Sequence, residues 1–100
     1  MRLSEVIAGT GARQVGGAQG DPEIARVTCD SRQACPGALF FALAGVKADG
    51  ARFAREAVEK GAVAVVSEGP LAGLGEHAAL LQVEAPRRAM ALAAAAFFGR

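Results

Sequence analysis

Apolar residues in this chain fall into short unbroken runs, set apart by polar stretches rich in glycine and proline. Residues 24–28, 39–43, 62–66 and 80–83 are such runs and read as buried strands. The run Leu39-Phe40-Phe41-Ala42-Leu43 has no polar alternation, which implies cover on both faces of a sheet. Near the start, Leu3, Val6 and Ile7 have the spacing of one short helix. From Ala51 the period becomes helical again. Phe53, Ala54, Ala57, Val58 and Gly61 share one face, and Arg52, Arg55, Glu56, Glu59 and Lys60 share the other. Arg52–Glu56, Arg55–Glu59 and Glu56–Lys60 are candidate i,i+4 ion pairs, with Asp49 placed to cap the helix and Gly61 to end it. A last helix follows Pro86 over residues 87–98. Its segment 89–98 is apolar all round, which predicts either deep burial or cover by a further domain.

Strand 39–43, helix and strand 62–66 make one crossover unit, whose strands should be parallel and whose hand should be right. The expected fold class is α/β: a small three-layer α/β/α domain with a mostly parallel sheet, formed by residues 1–100 as one domain. If strands 24–28 and 39–43 run the same way, the loops Asp30-Ser31-Arg32 and 45–50 leave the sheet at one edge. That edge is where α/β folds bind ligands. Residues 9–13 read as a helix stop and turn, residues 16–22 as loop, and residues 67–79 as mostly loop.

Composition narrows the function classes. With 52% apolar and 21% charged residues, the chain should be globular rather than disordered. Eleven basic residues oppose ten acidic ones; the arginines are scattered and there is no Trp or Tyr, so no nucleic-acid partner is expected. Cys29 and Cys35 have no neighbouring Cys or His to complete a metal set, and His77 is the single histidine, so both read as reduced thiols. Residues 1–5 lack the apolar core of a secretory signal, and the longest apolar run is about half a membrane span. A soluble, cytoplasmic protein without a membrane partner is expected.

Candidate chemistry is sparse. Gly9-Thr10-Gly11 begins like a dinucleotide fingerprint, but Gln14 stands where the third glycine belongs, which favours the helix stop. Asp30 and Arg32 can pair across their turn, or Arg32 can face an anionic ligand. Ser31 is either a turn residue or a hydrogen-bonding contact, and Lys47 either a solvated lysine or a charge for a ligand. Cys29 has only Arg32 nearby to lower its pKa, so a reactive thiol is not expected.

Several of these positions recur together in one family. Asp30-Ser31-Arg32, Pro36-Gly37, Leu39-Phe40, Ala42-Leu43, Gly45, Asp49-Gly50, Phe53, Ala57, Gly61-Ala62 and Ala64-Val65-Val66 stand in an order that resembles the amino-terminal domain of the Mur ligases. The likeness spans residues 24–98 and is greatest to the MurE type, which adds the third residue of the peptidoglycan stem peptide; the MurF type carries a similar pattern. The resemblance implies the Mur ligase amino-terminal fold and a domain that anchors the uridine diphosphate end of UDP-N-acetylmuramoyl-dipeptide. It implies that Cys29 and Ser31 lie on a first uridine-contacting loop, and Val46, Lys47 and Ala48 on a second. By the same resemblance Ser31 would donate to a ribose or phosphate oxygen, and Lys47 or Arg32 would offset diphosphate charge.

Catalysis in these ligases proceeds through an acyl phosphate and needs ATP and Mg, held by a central and a carboxy-terminal domain. The triphosphate loop Gly-x-x-x-x-Gly-Lys-Ser/Thr occurs nowhere in this chain, so no cofactor, metal or catalytic residue is expected within it. The missing central domain is then the expected intramolecular partner. A non-catalytic interaction module of the same fold is the alternative.

Overall fold

The computed structural model of the chain describes residues 1–43, 48–68 and 77–99, with backbone alone at 48–51. Helix α1 (Leu3–Ile7) precedes strand β1 (Arg13–Gly17), and β2 (Arg26–Thr28) leads into a 3-10 turn (Ser31–Gln33). Strand β3 (Ala38–Phe41), helix α2 (Ala48–Glu59) and strand β4 (Ala64–Ser67) follow as one crossover unit. Strand β5 (Ala79–Gln82) and helix α3 (Pro86–Phe98) complete the order.

The five strands form one sheet in the order β1-β5-β4-β3-β2. β2, β3, β4 and β5 are parallel, and β1 closes the far edge antiparallel to β5. The α/β class and the mostly parallel sheet expected from the pattern are therefore present. Apolar residues alternate between two cores. Leu39, Phe41, Ala64, Val66 and Leu81 face one side, under Leu3 and Val6 of α1 and Ala89 and Ala93 of α3. Ala38, Phe40, Ala42 and Val65 face the other, under Ala54 and Ala57 of α2. The unalternating run around Phe40 and Phe41 is thus a strand covered on both faces, as all four β3 residues are buried.

Helix α2 ends as its sequence predicts. Gly61 takes φ +110°, and its amide and that of Ala62 reach back to the carbonyls of Val58 and Ala57, both at 3.0 Å. That paired closure is the Schellman motif, which a left-handed residue makes possible. A Cβ on Gly61 would stand 2.7 Å from the nitrogen and the Cα of Pro36. The Gly61 carbonyl in turn accepts the Gly37 amide at 3.1 Å, locking the Pro36-Gly37 turn under the start of β3.

Several expectations are corrected. Residues 13–17, divided between turn and loop by the glycine content, form β1, which pairs with β5 through an irregular register between Gln14 and Gly16. Helix α2 starts at Ala48, so Asp49 lies inside its first turn and is not its cap. Phe53 is 40% exposed and sits at the margin of the apolar face, while Ala54 and Ala57 carry the packing. Of the three i,i+4 pairs on α2, only Glu56–Lys60 is in reach among the described residues, at 3.9 Å. Helix α3 sets Ala89 and Ala93 against the sheet and leaves Leu92 and Phe98 exposed, so of its two expected alternatives deep burial on all sides is the one absent. No described helix is long and apolar enough to cross a membrane.

Candidate functional site

Parallel pairing of β2 with β3, Thr28 opposite Phe40, sends the segments after both strands out of the same edge. After β2 the chain turns at once. The Thr28 hydroxyl accepts the Asp30 amide at 3.0 Å. The Asp30 carboxylate then caps the 3-10 turn by accepting the Arg32 amide at 2.9 Å. The Arg32 guanidinium closes on the same carboxylate through Nε at 3.1 Å and Nη2 at 3.0 Å. These contacts hold the Asp30 carboxyl below its ordinary pKa and raise that of Arg32.

Cys29 is exposed at the tip of this turn. Ser31 is buried at 6% exposure, and its hydroxyl donates to Glu56 Oε1 on α2 at 3.4 Å. Glu56 is also the partner of Lys60, so a small polar cluster ties the β2 turn to the outer face of α2. Ala48 is the first residue of α2, at the end of the connection leaving β3. Val46 and Lys47 lie outside the described residues. Cys29, Ser31 and Ala48 thus belong to neighbouring connections of one sheet edge. The pairing of Asp30 with Arg32, one of two alternatives open in the sequence, is the one present.

A second feature of that edge was not legible beforehand. An open crevice of about 680 Å³ lies beyond the carboxyl ends of β4 and β5. Its lining includes Arg13, Arg88 of α3, Glu68 and Glu84. Its residues come from four separate segments, so no local motif marks it. The Gly9-Thr10-Gly11 turn forms part of the lining, but the Thr10 hydroxyl is committed to closing α1, donating to the Ile7 carbonyl at 2.7 Å and accepting the Ala12 amide at 3.1 Å. A smaller hollow of about 300 Å³ adjoins it, between Ala42, Leu43 and Pro86. No group of three or more metal-ligating side chains occurs among the described residues.

Comparison with known proteins gives a consistent picture. The family model described as "Mur ligase family, catalytic domain" matches residues 23–98. A UDP-N-acetylmuramoyl-L-alanyl-D-glutamate–2,6-diaminopimelate ligase of Mesorhizobium japonicum is 47% identical over 85 residues, which is 85% of this chain and 18% of that protein. The ligase of the same name from Caulobacter vibrioides is 54% identical over 81 residues, 80% of this chain and 16% of that protein. Among solved structures, MurF from Acinetobacter baumannii superposes with a TM-score of 0.62 at 28% identity, over 94% of this chain and 19% of that chain. The chain therefore spans less than a fifth of the length of these relatives.

Proposed function

Because the chain belongs to the Mur ligase family, we propose that it is the amino-terminal, substrate-anchoring domain of an ATP-dependent amide ligase of peptidoglycan synthesis. In this reading it holds the uridine diphosphate end of UDP-N-acetylmuramoyl-dipeptide while another part of the enzyme adds diaminopimelate. The 45–55% identity to diaminopimelate ligases favours that type over the MurF type, to which the structural likeness stands at 28% identity. The carrying observation is the shared exit of the segments after β2 and β3, which brings the connections bearing Cys29, Ser31 and Ala48 to one sheet edge. Lys47 and Val46 complete the proposed contact set.

Uracil is flat and neutral, so backbone amides and carbonyls of two neighbouring loops suit its edge. ATP and Mg act elsewhere in this reading. The chain carries no triphosphate loop of the Gly-x-x-x-x-Gly-Lys-Ser/Thr type. The protein works in the cytoplasm, where its nucleotide-linked substrate is made, with the ligase's central domain as its partner. Calorimetric titration with UDP-N-acetylmuramoyl-dipeptide and with ATP tests the proposal: saturable heat from the first alone is expected, and saturable heat from ATP alone would overturn it.

A further inference from the structure

We propose that Glu56 is a positioning residue for the loop after β2: its carboxylate accepts a hydrogen bond from the Ser31 hydroxyl and leaves the lone pairs of that hydroxyl as acceptors toward the nucleoside. The inference rests on reading this loop as a uridine contact. It starts from a side-chain bond that joins the loop to α2 among the described residues, Ser31 Oγ to Glu56 Oε1 at 3.4 Å. A serine hydroxyl has one proton and two lone pairs, whereas a carboxylate can only accept, so the shared proton comes from Ser31. Toward any third group Ser31 then offers lone pairs alone.

That arrangement selects the ligand atom. Phosphate oxygens are acceptors and gain nothing from such a hydroxyl, while a ribose hydroxyl or the imide N–H of uracil can donate to it. The neighbouring cation points the same way. Arg32 already gives Nε and Nη2 to the two oxygens of Asp30, so only part of its donor fork is left for a phosphate. The two polar side chains flanking the turn are thus set for a nucleoside rather than for its diphosphate, which reverses the donor role expected for Ser31. Glu56 is well anchored for the task, since Ala54 and Ala57 on either side of it are fully buried against the sheet. Lys60 Nζ approaches the same Oε1 at 3.9 Å, restraining the carboxylate from its other side.

The test uses the whole chain, checked for folding by its amide spectrum, and follows UDP, uridine and inorganic pyrophosphate binding by NMR titration. Glu56→Ala is expected to weaken UDP binding about threefold to tenfold, the range of one ordinary hydrogen bond. Glu56→Gln, whose amide oxygen still accepts, should stay within about twofold of the parent protein, as should Lys60→Ala. In a Ser31→Ala background, Glu56→Ala should cause no further loss, because the two residues act through one bond. Uridine should move the Cys29 and Ser31 amides, and pyrophosphate should not. Full affinity in Glu56→Ala, or an undiminished loss in the Ser31→Ala background, would overturn the role of Glu56 while leaving the loop a uridine contact. Unchanged UDP binding in Ser31→Ala, or no binding of UDP at all, would overturn the loop reading and this inference with it.

Discussion

Asp30 holds Arg32 at three points, its backbone amide at 2.9 Å and its guanidinium at 3.1 and 3.0 Å. One carboxylate therefore both caps the 3-10 turn and neutralises the cation that follows it. The turn is shaped from within, by side chains two residues apart. A diphosphate bound at this edge would meet an Arg32 already shared with Asp30, and Lys47 is the further candidate cation within the neighbouring connection.

This arrangement has a pH consequence. Asp30 is shifted below its ordinary value by the Arg32 side-chain bond, and Asp21 by the hydroxyl and amide of Ser4. A carboxyl whose folded-state pKa is depressed adds stability above its unfolded value, about 3.9, and loses that contribution as pH falls through the folded value. The melting temperature should hold steady above about pH 5 and drop at more acid pH. Asp21→Asn and Asp30→Asn should each flatten that acid limb. Thermal melts by circular dichroism across the range check this, and an unchanged acid limb in both variants would count against it.

Gly61→Ala places a Cβ against Pro36 at a φ that L residues rarely adopt. It should destabilise the chain by about 2–3 kcal/mol, the cost of strain at such a position. Urea unfolding measures it. Gly20→Ala is a useful contrast, since φ there is also positive but no atom lies within 4 Å of the added carbon. Its effect should be the smaller of the two.

The two faces of α3 should respond unequally. Ala93 is fully buried against the sheet, so Ala93→Leu overpacks the core and should cost about 1–3 kcal/mol. Leu92 is 41% exposed, so Leu92→Ser should stay within about 0.5 kcal/mol in this chain. The same denaturation series reads both. Equal losses at the two positions would mean that α3 packs differently.

Ser31→Ala should weaken uridine-nucleotide binding by about 0.5–1.5 kcal/mol, the net worth of one hydrogen bond. Titration with UDP tests it. Unchanged affinity would remove the Ser31 hydroxyl from the site.

The parts of the fold that were legible in the sequence are those whose burial pattern is local. Phe40 and Phe41 lie on opposite faces of a strand covered on both sides, and an unbroken apolar run is how such a strand must look. Gly61 was legible for the same reason, because a helix stop is written within a few residues. β1 was not. Its residues Arg13, Gln14 and Val15 are exposed and carry no apolar alternation, so the strand exists through its pairing with β5. Gly17 reads as loop by composition, yet glycine is required there because a Cβ would come 2.1 Å from the Ala78 carbonyl oxygen. At the candidate site, the sequence indicated the β2 turn and the Asp30–Arg32 pair. The tie from Ser31 to Glu56 spans 25 positions and the crevice joins four segments, so neither leaves a local signature.

The most direct test of the anchoring role is an amide-resolved NMR titration of this chain with UDP-N-acetylmuramoyl-dipeptide, with ATP as control. The account predicts shifts concentrated in residues 29–32 and 45–50 with the first ligand and none with ATP. Shifts confined to residues 9–13 and 82–88 around the crevice, or an equal response to ATP, would contradict it.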